Sequence, residues 1–400
     1  MSTTRLRRRA ATVLVLAFGA MGFQVGAWAL SLPAVVDELD LDVGRIGITL
    51  ACMAGAGIAA TTVSGRIAER ITVRLTLALG AAASGFGFLV MPLLDSFITF
   101  TIGAMVTGVG LGMFDVAANA AGSLEEHRSG RTLLSKLHAV FSAAAASAAV
   151  LAYLLNGETG FAPSFWAAGL ACIAGAIAAL RLPVADRPTI DTPTSERPCA
   201  SRDLTRLVTA ASVFAFVIVC GAFTVDAALE GFAALFIDQL PGQGAAQSAL
   251  GLASLYLASA VGRAAATPAI RRLGDWKTLL IGLGIVLTGA IVLVGVGAAW
   301  ASAVGMLLIG IGLAPAAPIG YSVMGRSRAN GVERATARLT TAGYGAFVLA
   351  PLVIGAVGSE SLSDAFRLLP ILLFIMVLVT AWFGHRTHTL GRGGAHEVAS

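Results

Sequence analysis

Asp226 and Glu230 stand four residues apart inside the apolar run from Leu207 to Ile237. That spacing puts both carboxylates on one face of a helix. Two like charges so close favour holding one exchangeable proton between them near neutral pH. Such a pair can trade its proton for a bound solute or for a conformational contact. In the competing reading the helix breaks near Gly231 and Glu230 meets outside water. Other polar groups in apolar runs widen the choice. Gln24 is an uncharged polar group in the middle of the first run, with Trp28 one turn on, and both are candidates to line a cavity. Asp115 and Asn119 are one turn apart in the fourth run. His138 sits just inside the fifth, where its ordinary titration range near neutral pH allows sensing and its ring equally allows packing. Tyr256, Tyr321 and Tyr344 are further cavity candidates, each also suited to a lipid belt or a core.

The elements that must position these groups are long apolar segments. They run near 10–32, 46–63, 75–92, 97–120, 134–155 and 164–180, then 207–237, 248–267, 278–296, 299–321, 339–357 and 365–384. Each is long enough to cross a hydrocarbon core of ~30 Å as a helix. Hydrophobic residues make up 57% of the 400 and charged residues 12%, about half the usual soluble share. The sequence is therefore that of an all-α integral membrane protein with twelve transmembrane helices. Alternating the sides from Arg5, Arg7, Arg8 and Arg9 places 25 of the 27 Lys and Arg residues on one side, leaving Arg45 and Arg367 on the other. Cytoplasmic loops are enriched in this way, so both termini are expected in the cytoplasm and the chain in the cytoplasmic membrane. The formal charge of +5 then belongs to loops facing anionic lipid, with no nucleic-acid partner implied. The first apolar run follows a basic stretch but exceeds the length of a signal-peptide core, which makes it a retained span. Cys52, Cys172 and Cys220 lie in spans and Cys199 in a loop, so no disulfide framework is expected.

A polar, proline-bearing stretch divides the chain. The expected organisation is a six-helix bundle over 1–180, a cytoplasmic linker over 181–206 and a second six-helix bundle over 207–400. A displacement of 202 supports it: Gly108-Val-Gly-Leu-Gly falls on Gly310-Ile-Gly-Leu-Ala, Arg70 on Arg272 and Gln24 on Asp226. Parallel six-helix repeats are an architecture of secondary transporters, with the solute site between them at mid-depth. Small residues, including Gly55 and Gly57 in the second span and Gly103 to Gly112 in the fourth, let helix backbones approach. Pro315 and Pro318 predict a kink in the tenth span.

Between the second and third spans lies Gly65-Arg66-Ile67-Ala68-Glu69-Arg70-Ile71-Thr72-Val73-Arg74. It resembles the loop signature of the major facilitator superfamily. Glu69 replaces the commoner aspartate, and Thr72 stands where a glycine is usual. Its second-half counterpart, Arg271 to Lys277, is degraded. Trp28 to Ala34, Asp115 to Asn119, Gly130-Arg131 with Ser135, His138 and Ser142, and Glu230 before Ala233 to Ile237 are similar to the YbjJ-like branch of bacterial facilitators. That group favours an arginine where Ser31 stands. The resemblance implies a secondary transporter with two pseudo-symmetric six-helix bundles, and it leaves the cargo open. Asp115 with Arg66, Glu69, Arg70 and Arg74 is read as a cytoplasmic gate held by ion pairs and helix-end contacts, with Asn119 and the small Gly65 beside it and proton carriage as the alternative role for Asp115.

The expected function is alternating-access transport of a small organic solute coupled to protons. Efflux antiport is preferred to uptake because an Ala- and Gly-rich interior with few charges suits an amphipathic cargo. The alternative is a receptor or assembly partner on the same scaffold, which the short tail after Trp382 counts against. No G-x-x-x-x-G-K-[ST], H-E-x-x-H or G-x-S-x-G occurs, so neither ATP hydrolysis nor an intramembrane enzyme is expected, and no cofactor or metal. Lipids and a monomeric state complete the expectation.

Overall fold

A computed structural model describes residues 3–129, 133–182, 202–326 and 332–397 of the chain. Among them every regular element is helical: α1 (Thr3–Glu38), α2 (Val43–Ile71), α3 (Val73–Val90), α4 (Phe97–Ser129), α5 (Leu134–Asn156), α6 (Ala162–Ala179), α7 (Arg202–Asp238), α8 (Ala245–Gly295), α9 (Ala299–Leu313), α10 (Ala316–Arg326), α11 (Val332–Gly358) and α12 (Leu362–Glu397). Helices dominate because backbone N–H and C=O groups in lipid must find their partners within the segment. Eleven stretches among the described residues are long and apolar enough to cross a membrane. One of them, α8, has 51 residues, about 76 Å at the helical rise, more than twice the hydrocarbon thickness. It breaks at Gly274, where φ is 79°, and so gives two crossings, for twelve in all. α9 and α10 together make one crossing, interrupted beside Pro315 as expected from that proline.

The outer surface carries large apolar side chains in the open, among them Leu16, Phe86, Ile98, Leu170, Trp300 and Ile371. On a soluble protein such a surface would drive association; here the bilayer solvates it. Inside, one cluster of rings and aliphatic chains joins both halves, and includes Trp28, Phe88, Phe165, Phe232, Phe236 and Phe366. A second cluster, around Phe18, Leu77 and Phe114, packs α1 against α3, α4 and α5.

The two pseudo-symmetric bundles repeat their closest contacts at the displacement of 202. A β-carbon at Gly108 on α4 would collide with the Met53 carbonyl of α2, and one at Gly310 on α9 with the Leu255 carbonyl of α8. Likewise Gly87 faces the Thr107 hydroxyl and, at 3.1 Å, the Gly103 carbonyl, while Gly289 faces the Gly305 carbonyl at 2.7 Å. In each half, backbone touches backbone where only hydrogen fits.

The same displacement relates Thr72 to Gly274, the two residues that separate the second crossing from the third and the eighth from the ninth. Both hold positive φ, 124° at Thr72 and 79° at Gly274. Glycine adopts that backbone without cost; a β-branched residue is strained by about 1–3 kcal/mol. Thr72 recovers part through its side chain, which caps α3 by accepting the Leu75 N–H at 3.3 Å. A glycine at a cap position forfeits only a few tenths of a kcal/mol. Thr72→Gly is therefore expected to stabilise the protein by about 1 kcal/mol, read as a higher melting temperature in detergent. A lower one would show that the threonine cap outweighs the strain.

Candidate functional site

The halves meet where α1 packs on α7, α2 on α11 and α5 on α8. At the end of the bundle opposite the termini, α2 and α11 are in backbone contact: a β-carbon at Gly47 would lie 2.5 Å from the Pro351 carbonyl and 2.9 Å from the Gly355 Cα. Behind this contact, toward mid-depth, is a cavity of about 320 Å³, at the small end of small-molecule sites. Its wall is largely apolar, from Met21, Leu50, Ile58, Phe88, Leu111 and Phe347. The polar groups on it are Gln24 and Trp28 from α1, Thr61 from α2, Thr107 and Asp115 from α4, Glu230 from α7 and Tyr344 from α11.

Glu230 is on the cavity wall, and α7 runs unbroken through Gly231 to Asp238, so the helix does not end at Glu230. Asp226 is half-buried one turn back. The two carboxylates act on one another electrostatically and on Tyr256, whose ring is 4% exposed. The Tyr256 hydroxyl is buried with no hydrogen-bond partner among the described residues.

The cation in this group is Arg263, on the arm of α8 that precedes Gly274. Its guanidinium donates to the Ser142 hydroxyl of α5 at 2.8 Å, bridging the halves. It lies within electrostatic reach of Asp226, Glu230 and His138. Read from sequence alone, Arg263 was one more positive charge near the end of a span, counted with the loop. The displacement of 202 places it over Thr61, a wall residue, and that correspondence was the signal available.

Asp115 is not at the end of its helix. The apolar run ends near residue 120, but α4 continues to Ser129 because Glu125, Glu126 and Arg128 are good helix formers. Asp115 thus reaches the cavity wall at mid-helix. Its carboxylate accepts from Asn119 Nδ2 at 2.8 Å and from the Tyr344 hydroxyl at 3.4 Å. The second of these links the halves, α4 to α11. The side chains of Gly65, Arg66, Glu69 and Arg70 lie outside the described residues. Arg74 is half-buried on α3, with its Nε lacking a partner among them.

Gln24 is 1% exposed. The Ser84 hydroxyl donates to its Oε1 at 2.5 Å and the Cys172 thiol at 3.2 Å. Trp28 is stacked on Phe165 at 5.6 Å and on Phe100 at 6.2 Å, with Phe88 edge-on. His138 is off the wall, its ring edge-on to Phe18 at 5.2 Å. Ser31 is fully buried and bonded to Ser164 at 2.8 Å and Asn156 at 2.9 Å, away from the cavity. Among the described residues no group of His, Cys, Asp and Glu is arranged to hold a metal ion.

Twelve crossings in two related halves, around a mid-depth cavity with a few polar groups, define a membrane transporter. The model of the Major Facilitator Superfamily matches residues 13–351, and the chain belongs to that superfamily. It is 25% identical over 361 residues to an uncharacterized MFS-type transporter of Yersinia pestis, covering 90% of this chain and 91% of the relative. Among solved structures, the nucleoside transporter NupG superposes with a TM-score of 0.72 at 13% identity, over 95% of this chain and 98% of that one. A bacterial homolog of the human lysosomal transporter Spinster, inward-facing and unoccupied, does so with a TM-score of 0.74 at 13% identity, over 96% and 98%. Likeness at that identity is a likeness of fold. The chain is a transporter and not an enzyme.

Proposed function

We propose that the protein moves a small organic solute across the cytoplasmic membrane by alternating access, in exchange for protons. The observation that carries this reading is Glu230 on the cavity wall with Asp226 one turn away and Arg263 in electrostatic reach. A carboxylate in an apolar wall is costly when ionised and unpaired. It is relieved by a proton, by Arg263 or by a cationic group on the solute. Three interchangeable partners for one carboxylate are what coupled exchange requires, and they favour efflux antiport over uptake symport. The halves divide as 1–180 and 207–400, with 181–206 a cytoplasmic linker. The end that carries the termini faces the cytoplasm, by its excess of basic residues, and the α2–α11 contact then closes the outer end. Lipid surrounds a single chain, and one chain holds a complete cavity.

Proteoliposomes with a trapped pH dye test the reading. Sugars, nucleosides, amino acids and lipophilic amines are added in turn. A solute that moves protons only when the protein is present supports it, and Asp226→Asn is expected to slow that movement at least tenfold without lowering the melting temperature. Solute uptake unaccompanied by proton movement would make the protein a uniporter. Unchanged coupling in Asp226→Asn would remove Asp226 from the mechanism.

A further inference from the structure

The cavity wall is acidic and aromatic and carries no base. Asp115 on α4 and Glu230 on α7 are its charged residues, and no Lys, Arg or His is among the residues that line it. Neither acid is fully buried, so both keep accessible surface. Their surroundings differ. Glu230 shares the field of Arg263 with Asp226. Asp115 takes part in none of the ion pairs among the described residues. The Asn119 amide and the Tyr344 hydroxyl are what reach it, and neither is charged. A carboxylate inside a membrane protein is costly to keep without a countercharge, and the described part of the chain supplies none.

Aromatic rings adjoin that carboxylate. Tyr344 and Phe347, one turn apart on α11, are both on the wall and both part-exposed. Phe223 of α7 packs against them, with centroids 5.9 Å and 5.7 Å away. Crossings α7 and α11 run in the same direction, and Glu230 is two turns beyond Phe223, ~10 Å by helical rise. The two rings therefore form a strip that starts beside Asp115 and runs toward the level of Glu230. Aromatic faces attract cations, most strongly where water is excluded, and they do so without hydrogen bonds. We infer that the solute is an organic cation with an apolar body, whose charged head lies beside Asp115 against the rings of Tyr344 and Phe347, within the field of Glu230. Met21, Leu50, Ile58 and Leu111 line the wall that takes the body. An anion would meet two carboxylates, and an uncharged solute would leave Asp115 without a countercharge. This assignment rests on the reading of the cavity as the solute site, and its test measures binding without requiring proton movement.

Equilibrium binding to the full-length protein in detergent is measured with three probes of one shape and different charge. Benzyltrimethylammonium is a permanent cation, 2,2-dimethylpropylbenzene is its uncharged carbon analogue, and phenylmethanesulfonate is a permanent anion. The cation is expected to bind about tenfold or more tightly than the uncharged probe, and the anion more weakly than both. Asp115→Asn keeps the shape of the side chain and an acceptor for Tyr344 while removing the charge. It is expected to lower cation affinity about tenfold and to leave the uncharged probe unchanged. Tyr344→Phe keeps the ring and is expected to keep the preference, whereas Tyr344→Leu lowers cation affinity about threefold. That pair of variants separates a ring that binds the cation from a hydroxyl that only supports Asp115. Equal binding of cation and uncharged probe by the wild type overturns the proposal, as does an undiminished preference in Asp115→Asn that melts like the wild type. If Asp115→Asn does not fold, equal cation affinity in Tyr344→Phe and Tyr344→Leu overturns the placement of the head. Absence of saturable binding by every probe overturns the substrate class. If the cation binds as expected but moves no protons in proteoliposomes, the coupling reading fails and the binding assignment stands.

Discussion

Glu230→Gln is expected to abolish pH-driven solute movement while leaving solute-for-solute exchange at saturating concentration nearly intact. The glutamine keeps the shape of the side chain on the cavity wall and removes its capacity to carry a proton. If proton and solute share this carboxylate, net movement against a gradient must stop, with a loss of about 100-fold or more, equivalent to some 3 kcal/mol of coupling. Exchange of one solute molecule for another returns the site to the same protonation state each time, so it survives. Affinity for an amine falls, which is why the comparison is made at saturation. Net and exchange fluxes in the same proteoliposomes check this. Retention of pH-driven flux in Glu230→Gln would move proton carriage to another group, and Asp115, with its Tyr344 and Asn119 partners, would be examined next.

The second large effect is conformational. Gly47→Leu places a branched side chain where a single β-carbon already lies 2.9 Å from the Gly355 Cα. Backbone cannot rotate out of the way as a side chain can. Overpacking by one or two methylenes costs about 1–3 kcal/mol, and a leucine in a space for hydrogen costs more. Reversing a two-state population from 1:99 to 99:1 takes about 5.5 kcal/mol. The substitution is therefore expected to shift the protein most of the way toward the state open at the α2–α11 end. Spin labels on cysteines at Asp37 and Glu360, both exposed at that end, report the change in a background without the native cysteines. The inter-label distance should lengthen and net transport should fall at least tenfold. An unchanged distance distribution in a folded Gly47→Leu protein would show that this contact does not hold the end shut.

The apolar runs located every crossing because a membrane span announces itself by length and composition, and both are local properties of the chain. Even the 51-residue α8 was read as two spans, since the polar stretch from Arg271 to Lys277 interrupts it. Helix ends were less legible. α4 extends past its apolar run to Ser129, and nothing local to Asp115 announced its approach to Tyr344, 229 residues away. Contacts across the halves leave no local trace, and Arg263 with Ser142 is of the same kind. The correspondence of Trp28 with Glu230, both on the cavity wall, could have been read from the displacement that already aligned Gln24 with Asp226.

The glycine contacts that recur in both halves, Gly108 on Met53 and Gly310 on Leu255 among them, have a mechanical consequence. Where two main chains touch there is no rotamer to adjust and no soft atom to compress, so each half is stiff against shear between its own helices. Work done on the cavity by an arriving solute finds little compliance within either half. It is delivered instead to the seam, where, away from the α2–α11 backbone contact at one end, the joints include single long side chains such as Arg263 and Tyr344. A molecule built this way converts a local push of an ångström into a rotation of whole halves, as two rigid plates do on a narrow flexible joint.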